Sequence, residues 1–159
     1  MTLNINSDLL KSNVLALLDE TFSEVRGIYL DRGTSFTETL SAVSAEEASR
    51  PAVEDGTTIA GHADHVRFYL RVLNDYMEGK QVGRIDWSQS WLRKDVTDSE
   101  WDELRKQLAE DLKNTRKRIS EFTDWNDDKR LGGALAVIAH TAYHLGAVRQ
   151  MLRVVKSRG

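Results

Sequence analysis

The sequence predicts an all-α protein, a four-helix bundle, on three observations. Proline, which breaks helices, occurs once in 159 residues, at Pro51. Apolar residues recur at helical spacing in four long segments. The chain is 40% hydrophobic and 30% charged, which is the composition of a globular domain. Four amphipathic helices in a chain of this length favour a single domain over residues 1–159.

The first two long helices follow from their apolar stripes. Helix one is predicted from about Ser7 to Gly27, with an apolar residue at every third or fourth position on one face. Helix two opens near Gly56–Thr58 and ends at about Gly79, since glycine commonly terminates a helix. Between them, Ser44 opens a capping-box pattern that predicts one short helix.

The last two long helices have clear start signals. Helix three begins at a second capping-box pattern, Thr97–Glu100, and continues toward Phe122. Helix four starts after the polar stretch Asp124–Arg130 and runs to Val155. Asp127 and Asp128 are expected to cap its start, where acidic groups suit the helix dipole.

The four histidines of the chain form two pairs with helical spacing, His62/His65 and His140/His144. Residues three or four apart share one helix face, and both pairs lie on the stripe predicted to face the core. A buried histidine must satisfy two ring nitrogens, and one divalent metal ion satisfies several neutral imidazoles together. The pattern therefore favours a metal site. The alternative is a set of surface or hydrogen-bonded core histidines without metal.

Composition excludes several other classes of function. The chain has no cysteine, which excludes disulfides, thiolate metal sites and a cysteine nucleophile. A formal net charge of −3 argues against a nucleic-acid partner. No apolar run is long enough to span a bilayer, and the first residues lack a leader pattern. We therefore expect a soluble, cytoplasmic protein without a membrane partner.

Two segments resemble the metal-binding stretches of the DinB-like superfamily: TTIAGHADH, Thr57–His65, and AHTAYHLG, Ala139–Gly146. The resemblance covers essentially the whole chain and implies an up-down-down-up four-helix bundle that holds a divalent ion. It implies His62, His140 and His144 as the ligands. Zinc or nickel is the first expectation for the ion, with iron, manganese or copper as alternatives.

His65 keeps several alternatives under this resemblance. It is a fourth ligand, a group that orients another imidazole, a plain core residue, or a carrier of a proton during catalysis. The family pattern Arg-Gly-Gln after the last histidine is replaced here by Leu145–Gln150, which leaves substrate binding less defined than metal binding. Trp87 and Trp91 either form the wall of a substrate pocket or pack on the core. Arg149 is a candidate for binding an anionic substrate.

The resemblance also implies a reaction class, because characterised members include metal-dependent transferases and isomerases that use low-molecular-weight thiols. With no cysteine in the chain, the thiol must come from outside, together with an electrophile. Metal-activated water in a hydrolase is a second enzymatic interpretation. A non-catalytic bundle that binds metal, a ligand or a partner is the rival from another class. Dimerisation through helix faces is expected in either case.

Overall fold

The structure, a computed structural model, describes residues 6–158. Within that range it is all-helical and contains no strand. In chain order the α-helices are α1 (Ser7–Phe22), α2 (Phe36–Ser41), α3 (Ala45–Ser49), α4 (Ile59–Met77), α5 (Asp98–Ser120) and α6 (Asp128–Ser157), and a 3₁₀ turn (Trp87–Trp91) lies between α4 and α5. Residues 1–5, part of the segment judged to lack a leader pattern, and residue 159 lie outside the described range.

The predicted start and stop signals are confirmed at most helix ends. The capping box at Thr97 opens α5, and that at Ser44 opens α3. The Asp127 side chain accepts hydrogen bonds from two backbone amides in the first turn of α6. Gly79 follows α4 with a φ of 74°, a left-handed conformation that glycine adopts without steric cost. Local sequence therefore determines where these helices begin and end.

In the first third of the chain one prediction is wrong and one short helix was not predicted. Helix α1 ends at Phe22, not near Gly27, because the buried Glu20 carboxylate accepts four backbone N–H groups from residues 26–30 and turns the chain back. The short helix α2 was not predicted, although Ser35 and Glu38 form a third capping box at its start.

The long helices pack side by side around one apolar core. Helix α4 contacts both α6 and α5, and α1 contacts the same two helices from the other side. Ion pairs and hydrogen bonds between helices give the relative directions. Arg67 pairs with Asp111, and Asn74 bonds Thr115, so α4 and α5 run parallel.

Helix α6 runs antiparallel to α4. Gly133, near the start of α6, packs against Met77 at the end of α4. The histidines of α4 and α6 therefore meet in the half of the molecule that holds the N-terminal end of α4. The expectation that no apolar run is long enough to span a bilayer is wrong for α6, which could cross a membrane by length and composition alone. This is weak evidence for a membrane helix, because core helices of soluble proteins pass the same test and part of α6 is buried.

Candidate metal centre

Helices α4 and α6 bring three histidine nitrogens to one point. Nε2 of His140 lies 3.1 Å from Nε2 of His65 and 3.2 Å from Nε2 of His144. One ligand atom from each of these residues lies within 4.8 Å of the other two. His140 and His144 are one turn apart on α6, and His65 faces them from α4. These three histidines are close enough to bind one metal ion.

His62 occupies a different position, behind this cluster. Its Nδ1 lies 2.9 Å from Nδ1 of His144, and its Nε2 lies 3.0 Å from Thr57 Oγ1. The structure thus brings together His65, His140 and His144, whereas the resemblance implied His62, His140 and His144. Both α4 histidines share the inward face, but only His62 is near enough to Thr57, at the start of the helix, to bond it.

The proton position on His65 follows from its neighbours. Ser90 Oγ donates its one hydrogen to the Trp87 carbonyl oxygen at 2.6 Å, so it accepts a hydrogen bond from His65 Nδ1 at 2.7 Å. A neutral imidazole carries one N–H, so Nε2 of His65 has a free lone pair. That lone pair points to the other two histidines. Both ring nitrogens of His65 are thus engaged within the site.

The remaining ring nitrogens leave the cluster short of hydrogen-bond donors. If the proton of His140 lies on Nε2, it can be donated to only one of the two neighbouring ring nitrogens, on His65 or on His144. The buried Nδ1 of His140 then has no hydrogen-bond partner among the described residues. The opposite tautomer of His140 leaves its Nε2 lone pair facing that of His65, and also that of His144 when the His144 proton lies on Nδ1. A divalent cation accepts all three lone pairs at once, so the donor set fits such an ion.

A bound ion also completes the hydrogen bonds behind the cluster. With Nε2 of His144 as a ligand, its proton sits on Nδ1 and donates to Nδ1 of His62. His62 then keeps its proton on Nε2, facing Thr57 Oγ1. With such an ion bound, His62 and Ser90 would orient two of the three ligand imidazoles, as outer partners of metal ligands commonly do.

Burial keeps all four imidazoles neutral near pH 7. Desolvation, with repulsion from neighbouring histidines, lowers the pKa of His62 and His140 to about 4 and that of His144 to about 3. Desolvation lowers the pKa of His65 as well. Metal ligation requires neutral imidazole, so the site is electrostatically prepared for a cation.

Aromatic rings fix the positions of two of the imidazoles. Trp91 stacks on His65 with ring centroids 4.0 Å apart and an interplanar angle of 17°. Tyr69 stacks on His140 at 3.6 Å and 8°. Sequence reasoning assigned no role at the site to Tyr69, Ser90 or Thr57. Only Tyr69 gave a usable signal, since it follows His65 by four residues on α4.

The 3₁₀ turn forms a wall between two cavities. Trp87 lines an apolar cavity of about 390 Å³. Its other lining residues carry no charge: Tyr69, Val72, Leu73, Tyr76, Val82, Gly83 and Ile85. Trp91 lines a second cavity of about 250 Å³, with Thr57, Arg93 and Lys94. Gly61 lets this segment lie against α4, because a Cβ there would meet the Arg93 carbonyl oxygen at 2.9 Å.

Arg149 lies elsewhere. It lines a groove between α2 and α6 together with Arg153 and Lys156, and that groove contains none of the histidines and neither Trp87 nor Trp91. The structure therefore does not bring Arg149 together with the other candidate site residues. Trp87 and Trp91 do lie beside the histidines.

The fold and the site define a helical protein in which three histidines, two buried and one half-buried, are close enough to hold a metal ion. A family model described as the DinB superfamily matches residues 30–148, about three quarters of the chain. The chain belongs to the DinB superfamily, whose members are metal-binding proteins. No curated protein and no solved structure matches it significantly.

Proposed function

We propose that this protein is a metal-dependent transferase that joins a low-molecular-weight thiol to an apolar electrophile. One observation carries the proposal: neutral imidazoles of His65, His140 and His144 converge behind Tyr69 and Trp87, the two aromatic residues that separate them from an uncharged cavity. Three histidine ligands with an open position are the ligand set of a catalytic site, whereas structural zinc sites are closed by four protein ligands.

The residues divide the work as follows. His65, His140 and His144 would hold the ion, and His62 and Ser90 would orient the ligand rings through hydrogen bonds. A bound divalent ion would lower the pKa of a thiol and stabilise the thiolate, which is the nucleophilic form. The apolar cavity beside Trp87 would take up the electrophile.

The proposed reaction balances without a redox partner. The sulfur forms a bond to an electrophilic carbon, the bond from that carbon to its leaving group breaks, and the leaving group departs with the electron pair. The thiol proton is released to the solvent. Because the chain has no cysteine, the sulfur comes from the small-molecule thiol alone.

Zinc or nickel remains our proposal for the ion, and iron, manganese and copper are the alternatives, because imidazole suits several transition metals. Chemistry with free thiols also supports a cytoplasmic location, where thiols are kept reduced. We propose a single domain with the up-down-down-up topology. The parallel pairing of α4 with α5 and the antiparallel pairing of α4 with α6 support that topology.

Metal content is the first test. Protein purified without an affinity tag and analysed by atomic emission should contain about one metal ion per chain. The His144→Ala variant should contain none, because it leaves two ligands, while the matched replacement Arg149→Ala, on the same helix, should keep the ion. A wild-type protein that stays metal-free after dialysis against zinc and nickel would overturn the proposal.

Thiol transfer is the second test. Metal-loaded protein, glutathione or cysteine, and 1-chloro-2,4-dinitrobenzene should give a thioether and chloride faster than metal-free protein does. Val82→Asp places a charge in the apolar cavity and should lower kcat/KM about tenfold or more while metal content stays unchanged. Val53→Asp, at an exposed position, is the matched control.

The same assay separates the rival, a non-catalytic binding protein. That rival shares the metal site, so it predicts full metal content with no rate above the metal-free protein for any thiol and electrophile pair. Hydrolysis of model esters by metal-loaded protein without thiol would instead favour metal-activated water.

A further inference from the structure

The outward face of α6 is apolar, which is unusual for a helix on the surface of a soluble protein. Residues 131–148 contain no Asp, Glu, Lys or Arg. Leu135 is 47% exposed and Tyr143 is 73% exposed. Helix α5 differs, because its outward face carries Glu103, Lys106 and other charged residues. A surface helix normally places charges toward water, so a second apolar surface is expected to cover this face of α6.

The residues on this face are arranged symmetrically about Ala139. Glycine occurs seven residues before and seven residues after it, at positions 132 and 146, and alanine occurs three residues before and after, at positions 136 and 142. Large apolar residues occur four residues to either side, Leu135 and Tyr143. Such spacing at three, four and seven residues is that of a helix-packing seam, and its small residues allow close approach.

This symmetry matches a two-fold axis. Consider two copies of α6 that pack antiparallel about an axis at Ala139. A residue a few positions before Ala139 in one copy then lies level with the residue the same number of positions after Ala139 in the other copy. Leu135 then packs beside Tyr143 of the second copy, and alanine meets alanine on the axis. The seam is therefore self-complementary.

Charges at the two ends of the seam favour the same orientation. Asp128 begins α6, and Arg149 and Arg153 lie near its C-terminal end; none of the three forms an ion pair within residues 6–158. Asp128 lies eleven residues before Ala139, so it would lie level with position 150 of a second copy. That position is between Arg149 and Arg153 of the second copy. A parallel arrangement would instead place like charges together and align the helix dipoles.

We propose that the protein forms a homodimer in which α6 packs antiparallel against α6 of a second copy, with Ala139 on the two-fold axis. The seam from position 128 to 150, centred on Ala139, is about 33 Å long at 1.5 Å per residue. An interface one helix wide is at the small end of stable interfaces, so we expect a dissociation constant in the micromolar range. The proposal does not depend on metal binding or on catalysis.

Single-cysteine variants test the register, because the chain has no cysteine of its own. Under mild oxidation Ala139→Cys should form a disulfide-linked dimer, since two copies of this residue meet at the axis. Ala109→Cys, an exposed alanine on α5, is the matched control and should remain monomeric. Leu135→Cys should cross-link with Tyr143→Cys in a mixture but not with itself.

The opposite pattern overturns the proposal. Equal cross-linking of the cysteines at positions 139 and 109 would indicate random collision. Self-cross-linking of Leu135→Cys as fast as its cross-linking with Tyr143→Cys would indicate a parallel pair.

Sedimentation equilibrium of the cysteine-free protein provides an independent test. The wild type should sediment as a dimer above its dissociation constant, and Ala139→Glu should raise that constant at least 100-fold by placing two charges on the axis. Ala109→Glu should have no effect. A wild-type protein that is monomeric at 100 μM overturns the dimer. If that monomer also floats with anionic phospholipid vesicles, a lipid surface covers α6 instead.

Discussion

Two buried polar groups in this molecule differ in whether their hydrogen bonds are complete. The Glu20 carboxylate is fully buried, and backbone N–H groups of Arg26, Ile28, Tyr29 and Leu30 donate to it. The histidine cluster, between α4 and α6, leaves ring nitrogens facing one another without enough protons to pair them.

This difference separates a structural group from a candidate functional one. Glu20 needs nothing from outside, because each backbone donor has an acceptor and the charge is stabilised by peptide dipoles. The histidines leave lone pairs unpaired within the protein, and a divalent cation would satisfy them. Burial of a polar residue is therefore uninformative by itself. A structural group is distinguished from a candidate functional group by whether the protein alone supplies partners for all of the group's hydrogen bonds.

The largest expected difference between the histidines and Glu20 is in how acidification changes the free energy of unfolding of metal-free protein. The pKa values of His62, His140 and His144 lie at about 3 to 4, below the ordinary 6.5. Between these values the unfolded chain binds protons and the native chain does not. The contribution of each histidine to the free energy of unfolding is therefore fully present above pH 6.5. It falls as the pH drops toward 4, by up to about 1.4 kcal/mol per pH unit for each histidine.

Glu20 should contribute in a different pH window. Its backbone hydrogen bonds outweigh desolvation and lower its pKa from 4.5 to about 2, so its stabilisation is present above pH 4.5 and lost toward pH 2. Urea unfolding of metal-free protein at pH 7.5, 6.5, 5.5 and 4.5 measures the histidine window. A constant free energy of unfolding between pH 7 and 5 would contradict the prediction.

Replacement of Glu20 by glutamine should give the next largest effect. The amide presents an NH₂ group to backbone donors and has one oxygen where four N–H groups need acceptors. We expect Tm to fall by roughly 10 °C or more. Glu24→Gln, in an exposed ion pair with Arg26, is the matched control and should change Tm by less than about 2 °C. Equal losses would show that the Glu20 hydrogen bonds are dispensable.

Loss of a proposed ligand should weaken metal binding strongly. His65→Ala removes one of three converging nitrogens, and we expect the Kd for zinc to rise more than about 100-fold, beyond the range for an outer partner. Competition titration with a chromophoric chelator measures this Kd. Unchanged affinity in His65→Ala would return the third ligand position to His62.

The smallest effect is expected for His62→Ala. This residue bonds the ring of His144 from behind, so its loss should raise the Kd for zinc about 10- to 100-fold while the protein still binds one ion at saturation. The two alanine variants form a matched pair on one face of α4. Loss of stoichiometric binding in His62→Ala, with binding retained in His65→Ala, would reverse the assignment.

Most of the helices could be predicted from the sequence because their signals are local. Capping boxes, periodic apolar residues and the glycine after α4 depend on residues within one or two turns. The end of α1 could not be predicted. It depends on Glu20 bonding amides up to ten residues away, in a loop whose path has no periodic pattern.

The candidate site was only partly predictable for the same reason. Helical spacing indicates that two histidine pairs face the core, and the structure brings residues from both pairs together. Which α4 histidine joins His140 and His144 depends on Thr57 before the helix and on Ser90, 25 residues after His65. Residues in distant loops set the orientation of these side chains, and helical spacing alone does not predict that orientation.

The stacking of Trp91 on His65 gives the protein a built-in optical probe. Fluorescence from an indole ring 4.0 Å from a ligand imidazole should be quenched when paramagnetic Cu²⁺ enters the cluster and much less by diamagnetic Zn²⁺. Trp101, bonded to the Val43 carbonyl oxygen, and Trp125, packed on Phe122, provide a constant background. Emission from the unlabelled chain can therefore report occupancy of the site in real time.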